Sequence, residues 1–371
     1  MSKFDDMIHS LQQDIEIPDN VWIKYTDTLS KLPDKSEKKS SHTFSKRGIW
    51  PVALAAALVI GTISVSAAAY IHWSRGLEER LQATADQCEK LEDNKMSSSV
   101  GQSVTQGNIT VTAQQSIVDN YFAYISFKVE GFQAEDGEQP GFSGINIAVG
   151  DENDYTGGWS ASFYDGLISG LDGKVLYADG MPLAEGEKFS YTMEDGSMEF
   201  QVEMMSDVKG AFFGKPIHIE LRDLGIYGGK AEDVIVKAKG RWNFDWVMTG
   251  SDDTKKCELN TPLENSNVTV LNAEISPISV SVTYNYSGQK ETEVIVPSFT
   301  GVRLKDGTIY TGISGEGICG YRTEDSDIYK DTVALERVID VDQVESLLFV
   351  KSYPEGEQPL TEENLYFVSV E

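Results

Sequence analysis

Four histidines and three cysteines are the residues best suited to metal binding or nucleophilic chemistry, and their spacing supports neither. His9, His42, His72 and His218 are scattered, and Cys88, Cys257 and Cys319 stand far apart in sequence. A structural zinc site needs ligands at short, paired intervals; the segment before residue 48 has His9 and His42 and no cysteine. His218, flanked by Ile217 and Ile219, reads as a strand residue rather than a base. The chain contains no H-E-x-x-H, no G-x-S-x-G and no G-x-x-x-x-G-K phosphate loop. Asp151-Glu152-Asn153-Asp154 and Asp325-Ser326-Asp327 are acidic enough to attract calcium, but lack the spaced ligands and glycine of a calcium loop. The expectation is a protein that is not an enzyme and holds no cofactor or metal. Cys257 and Cys319 are candidates for a disulfide, a pairing that spacing alone does not decide.

The element that organises the chain is the uncharged stretch from Ile49 to Ile71. Its roughly 23 residues make a helix of about 34 Å, enough to cross a ~30 Å hydrocarbon core with some tilt. Trp50 at one end and Tyr70 and Trp73 at the other are suited to the headgroup zones. Lys31, Lys35, Lys38, Lys39, Lys46 and Arg47 crowd the approach, whereas Arg75, Arg80 and Lys90 beyond it are diluted by acidic residues. That asymmetry predicts a single-pass cell-membrane protein with a cytoplasmic N-terminus and an extracellular C-terminal region. A cleaved secretory signal, cut at Ala67-Ala68-Ala69, is the competing expectation; the long preceding region speaks against it. Ala53, Ala57 and Gly61, four apart, would let two spans approach closely, so a homodimer through this face is one expectation.

Before the span, residues 1–33 carry two amphipathic helical patterns. Phe4, Ile8 and Leu11 line one stripe; after Pro18, Trp22, Tyr25, Leu29 and Leu32 line another, ended by Pro33. Two such short helices cannot close a core of their own size. Their apolar faces imply a partner protein, the membrane surface or a marginal hairpin, and the pattern alone does not choose. Residues 34–48 read as a basic linker that reaches anionic headgroups.

The net charge is −28 across 371 residues. The first 47 residues are near neutral, with about eight charges of each sign, so the acidic excess lies in and beyond the span. Such a surface repels nucleic acid and favours solubility. Residues 74–97, with Leu77, Leu81, Cys88 and Leu91, predict a stalk helix, followed by a flexible Ser-rich stretch from Ser97 to Gly107 that invites proteolysis. From Asn108 the period switches to two. Tyr121, Ala123, Ile125, Phe127 and Val129 alternate with Phe122, Tyr124, Ser126 and Lys128; Ile278, Val280, Val282, Tyr284 and Tyr286 alternate with polar residues. Each predicts a strand with one buried and one wet face. Asp172-Gly173 and Asp306-Gly307 mark hairpin turns. The fold expected is mainly β: one transmembrane helix at 49–73, and an extracellular region of two immunoglobulin-like β-sandwich domains at 98–252 and 253–371.

Several segments resemble one family: Phe4-Asp5-Asp6-Met7-Ile8, Ile15-Glu16-Ile17-Pro18-Asp19, the basic linker and the span, then Gln106-Gly107-Asn108-Ile109-Thr110-Val111-Thr112 and Val118-Asp119-Asn120-Tyr121. The family comprises Gram-positive single-pass proteins of unknown function regarded as candidate anti-sigma factors. The segment from Gly240-Arg241-Trp242-Asn243-Phe244 through Ile275-Ser276-Pro277 is similar to the C-terminal immunoglobulin-like domain often attached to them. The resemblance implies that the cytoplasmic helices hold an extracytoplasmic-function sigma factor and that the β ectodomain senses an envelope signal. Phe4, Ile8, Leu11, Trp22, Tyr25 and Leu29 would then form the partner face. The chain departs from the zinc-binding anti-sigma class, whose cytoplasmic His and Cys cluster it lacks. The alternative is a cell-surface binding or scaffolding protein, with Trp159, Trp242 and Trp246 as candidate exposed platforms, although such residues more often fill a sandwich core.

Overall fold

The period-two segments form strands, and the strands assemble into two β bodies, each made of two sheets facing over one core. The computed structural model describes residues 73–370 except 151–156, 171–173, 185–187, 189, 229–232, 287–296, 322–326 and 355–358. Two short helices come first, α1 (Arg75–Arg80) and α2 (Ala85–Asp93). The first body follows: β1 (Ser97–Gln106), β2 (Ile109–Val118), β3 (Phe122–Glu130), β4 (Pro140–Val149), β5 (Gly158–Phe163), β6 (Leu167–Ser169), β7 (Val175–Tyr177), β8 (Met198–Met205), β9 (Pro216–Tyr227) and β10 (Val234–Val247). Its sheets run β1-β2-β3-β8-β5 and β10-β9-β4, with β6 and β7 as a separate hairpin. The second body contains β11 (Lys255–Pro262), β12 (Val268–Ile275), β13 (Ser279–Tyr286), β14 (Phe299–Leu304), β15 (Ile309–Thr311), β16 (Ser314–Tyr321), β17 (Ile328–Leu335), β18 (Val344–Val350) and β19 (Leu365–Ser369). Its sheets run β11-β12-β13-β17-β16 and β15-β14-β18-β19.

Alternation places Ala123, Ile125, Phe127 and Val129 of β3 beside Met198, Phe200, Val202 and Met204 of β8, all facing the first core. Trp242 and Phe244 of β10 close that core from the other sheet. In the second body Val280, Val282 and Tyr284 meet Val302, Leu347 and Phe349. The first core ends at Met248 and the second begins at Cys257. The strand orders establish a mainly β architecture; they do not by themselves make either body immunoglobulin-like. Gly240 to Phe244, assigned by resemblance to the C-terminal domain, belongs instead to β10 of the first body.

Several expectations are corrected. The stalk is not one helix. The chain turns at Gln82, whose φ is +46°, and restarts at Thr84, which closes a capping box with Gln87. Helices of six and nine residues are too short to stand alone in water; both lie on the β bodies, described below. The Ser-rich stretch is not flexible connection but the ten-residue strand β1, paired to β2 through the turn at Gly107-Asn108. Trp73, expected at the headgroup level, is buried in protein. The strands β3 and β13 have no wet face over most of their length: Phe122, Tyr124 and Ser126 are buried, as are Ser279 and Ser281. Asp306-Gly307 does turn a hairpin, between β14 and β15. It does so with a three-residue loop in which Gly307 adopts φ +88° and Leu304 N–H reaches the Thr308 carbonyl. The other expected turn, Asp172-Gly173, lies outside the described residues apart from the flanking β6–β7 hairpin.

All three cysteines are free. Cys257 on β11 and Cys319 on β16 sit at opposite edges of one five-stranded sheet. Four inter-strand steps of about 4.8 Å separate them by roughly 19 Å, far beyond disulfide reach. Trp242 is buried, Trp246 is partly buried against the core, and Trp159 is 41% exposed. No helix among the described residues is long and apolar enough to cross a membrane; the predicted span before Trp73 lies outside them.

Candidate functional site

Residues 73–96 form a strap across the outer face of the first five-stranded sheet. Its apolar residues Trp73, Leu77, Leu81, Leu91 and Met96 pack on Ile117, Phe122, Tyr124 and Met205 of that sheet, and on Ile278, Ala334 and Val338 of the second body. Burying each of the three leucines contributes about 2 kcal/mol. The strap is therefore a wedge with its own core, touching both bodies.

Its polar fixings come from β8. Met198, Phe200, Val202 and Met204 point inward, so Glu199, Gln201 and Glu203 point outward, beneath the strap. Glu199 acts as the cap that α1 lacks. The Ser74 side chain makes no capping bond; its hydroxyl donates instead to Glu199 Oε1 at 3.0 Å, and Gly76 N–H donates to Glu199 Oε2 at 2.8 Å. The first amides of a helix have no partner within it, and a carboxylate placed there satisfies them and favours the helix dipole. Ser74 N–H donates to Gln115 Oε1 at 2.9 Å, and Gln201 Nε2 donates to Glu199 Oε1 at 3.0 Å. A Cβ at residue 76 would come within 2.7 Å of the Gln201 and Glu199 side-chain ends and force them out of their bonds, so glycine suits a helix start lying this close. One turn on, Arg80 Nη2 donates to Glu203 Oε2 at 2.5 Å, with its guanidinium 5.6 Å from the Tyr124 ring centre.

Burial pushes the Glu199 carboxyl above its ordinary range, against bonds from Gln201, Gly76 and Ser74 that favour its ionised form. Burial likewise raises Glu203; Arg80 opposes the shift, while Glu316 and Glu336 of the second body reinforce it. For Arg80 burial works against the charge, and Glu203, Tyr124 and Glu336 together more than offset it, so the guanidinium is held more firmly protonated. Glu203 is buried while Arg80 is 28% exposed, so separating the pair would leave the carboxylate without compensation.

A second fixing joins the two bodies directly. Asp119, in the turn between β2 and β3, accepts from Tyr121 N–H and Phe122 N–H, each at 2.8 Å, and from the hydroxyls of Ser276 and Ser279. Burial raises its carboxyl, against all four bonds. Around it, Tyr121 Oη donates to Glu274 at 3.2 Å, Lys209 bridges to Glu274 at 2.8 Å, and Lys330 lies 4.3 Å from the Tyr121 ring centre. The far end of the strap is tied to the second body: Val338 N–H donates to the Leu81 carbonyl at 2.7 Å, Gln87 to the Val338 carbonyl at 3.1 Å, and Lys90 to Asp340 at 2.9 Å.

None of the residues predicted as sites falls in this region. Phe4, Ile8, Leu11, Trp22, Tyr25 and Leu29, and the span positions Ala53, Ala57 and Gly61, lie outside the described residues. Glu199, Gln201 and Glu203 were not singled out from sequence, because alternating polar residues on a strand ordinarily mean a solvated face. The signals available were Gly76 inside a helical pattern, where glycine is costly, and Thr84-x-x-Gln87 as a second start. Val118-Asp119-Asn120-Tyr121, noted only by resemblance, falls at the junction of the two bodies. The histidine His218 is an exposed β9 residue 2.8 Å from Asp245. Among the described residues no three His, Cys, Asp or Glu side chains are grouped to hold a metal ion.

Residues 44–131 match the model of a domain of unknown function (DUF4179), less than half of the chain. The match covers the end of the linker, the uncharged stretch, the strap and β1 to β3. No curated protein matches the chain. A solved structure described as that of a conserved domain protein from Bacillus anthracis aligns at 16% identity with a TM-score of 0.40, covering 75% of this chain and 91% of its own. A likeness that distant supports no statement about fold or activity.

Proposed function

We propose that the protein is a membrane-anchored regulator resembling anti-sigma factors: its cytoplasmic helices hold an extracytoplasmic-function sigma factor, and its β region outside the cell receives an envelope signal. The observation that carries this reading is the continuity of the chain. An uncharged stretch flanked by Lys and Arg on one side leads within a few residues into a strap clamped on both β bodies. A change in how the bodies grip the strap would be felt by the segment that leaves it toward the bilayer. The match of residues 44–131 to one domain model spans both parts and supports treating span and strap as one unit. The lipid bilayer is then the anchor, and a homodimer through Ala53, Ala57 and Gly61 belongs to the same proposal.

The test is co-purification of the full-length protein with its sigma factor from solubilised membranes. Leu29→Asp puts a charge into the proposed interface and should weaken binding about a hundredfold, since burying a leucine contributes a few kcal/mol. The dependent genes should rise in that variant. Unchanged expression together with unchanged co-purification would remove the sigma-factor assignment. The rival reading, a surface binding protein, keeps Trp159, 41% exposed on β5, as its most open platform, since Trp242 is buried and Trp246 is partly buried against the core. Loss of envelope-material binding in Trp159→Ala, with transcription unaffected, would favour it.

A further inference from the structure

Trp73 stands two residues beyond Ile71, the last residue of the uncharged stretch. Two residues of chain reach at most about 7 Å, and the headgroup layer outside the hydrocarbon is about 6 Å deep on each side. With that stretch across a bilayer, Trp73 lies in or just above the headgroups, whatever path the chain takes between them. Trp73 is also 8% exposed, buried among protein side chains. The two statements agree when the protein that buries Trp73 itself lies at the membrane surface.

We infer that the first body rests on the zwitterionic headgroups of the membrane that anchors the chain, through the face around Trp73. The inference rests on the membrane-anchored reading and goes beyond it, since a span alone leaves the β region free to stand off on its tether. On this face a cleft of about 320 Å³ separates the start of the strap from the turn at Met193 to Ser197. The turn is closed by Met193 N–H to the Ser197 carbonyl at 2.8 Å and Gly196 N–H to the Met193 carbonyl at 2.9 Å. Lys128 of β3 lies 2.9 Å from Asp195 and 3.2 Å from Glu130; Arg75 lies 2.7 Å from Glu79 and 4.0 Å from Glu194. Glu194, which lines the cleft, is 93% exposed. Lys128 and Ser197 hold the Asp195 carboxyl below its ordinary range, so it is ionised at neutral pH. A face that carries both signs matches headgroups that present both a phosphate and an amine. A face suited to anionic lipid would instead be a block of Lys and Arg. The bilayer is then a further surface against the first turn of the strap, beside β8.

The test is zero-length crosslinking of the full-length protein in nanodiscs of phosphatidylcholine and phosphatidylethanolamine. A carbodiimide joins a carboxylate to a lipid amine that it touches, and mass spectrometry of the digest locates the adduct. The expected result is phosphatidylethanolamine on Glu194 or Asp195, at least fivefold more often than on Glu362 and Glu363, two exposed carboxylates of the second body. A flexible insert of about ten Gly and Ser residues between His72 and Trp73 lets the body stand off, and should cut the yield at Glu194 and Asp195 at least threefold. A chain that fails to migrate with the nanodiscs overturns the anchored reading and this inference together. Three results overturn the inference and leave the anchoring intact: a chain that migrates with the discs but carries no adduct at Glu194 or Asp195; adducts there no more frequent than at Glu362 and Glu363; or full yield with the insert in place.

Discussion

On the outer face of the first five-stranded sheet, Tyr124 lies opposite Glu203, Ser126 opposite Gln201 and Lys128 opposite Glu199. On the matching face of the second, Ser279 lies opposite Ala334, Ser281 opposite Thr332 and Thr283 opposite Lys330. The two sheets share a plan: a three-strand meander joined to a late strand and then to an earlier one, β1-β2-β3-β8-β5 and β11-β12-β13-β17-β16. What differs is the chemistry of the outward side chains. Long carboxylates and an amide reach up and demand donors, which the strap supplies through Ser74, Gly76 and Arg80. Short hydroxyls satisfy one another, as Ser281 and Thr332 do at 2.9 Å, or reach the first body, as Ser279 does at Asp119, and this face is buried as well. Strand order thus fixes which residues face outward, and side-chain length and charge decide which bonds hold the cover over each face.

The comparison breaks most visibly at the strap. Leu77→Ala empties a fully buried position and should cost about 3 kcal/mol of stability, read as a lower unfolding midpoint in denaturant. Gly76→Ala drives a methyl group into Glu199 and Gln201 and should cost about 2 kcal/mol. In both, the loss should centre on residues 73–96 and leave the second body's strands protected against hydrogen exchange.

The second body sharpens the comparison through pH. Asp331 on β17 is raised by burial from 3.8 to about 6, with only the Thr332 amide opposing. A carboxyl that holds its proton longer folded than unfolded makes the fold lose stability as pH rises through that window, from near 4 to above 6. Asp331→Asn should therefore gain about 2 kcal/mol at pH 7 and almost nothing at about pH 3, where the carboxyl is protonated in both the folded and the unfolded chain. An equal gain at both pH values would place the effect in packing instead. The smallest change expected is Ser281→Ala, which removes one buried hydroxyl bond and should cost about 1 kcal/mol, with no effect on the strap.

Much of the β architecture was legible. Alternation at Ala123 to Val129 and Val280 to Tyr284 identifies inner faces. The strap was not legible because the carboxylates that fix it are more than 120 residues away: Glu199 from Ser74, Glu203 from Arg80. Period-two patterning tells apolar from polar; it does not tell water from a buried polar network. The run Leu77, Leu81, Cys88, Leu91 was helical as read, but its break at Gln82 depends on a backbone conformation that no residue type there announces. Trp73 shows the same ambiguity, since an amphipathic ring suits a headgroup or a protein core equally well.

Hydrogen–deuterium exchange on the full-length protein in micelles, with and without Glu199→Ala, measures the central claim directly. The account predicts that the amides of Gly76 and Leu77 exchange as slowly as those of β3 and β8, and that Glu199→Ala releases residues 73–81 while β12 and β13 stay protected. Rapid exchange across 73–81 in the unaltered protein, or full protection after Glu199→Ala, would contradict it.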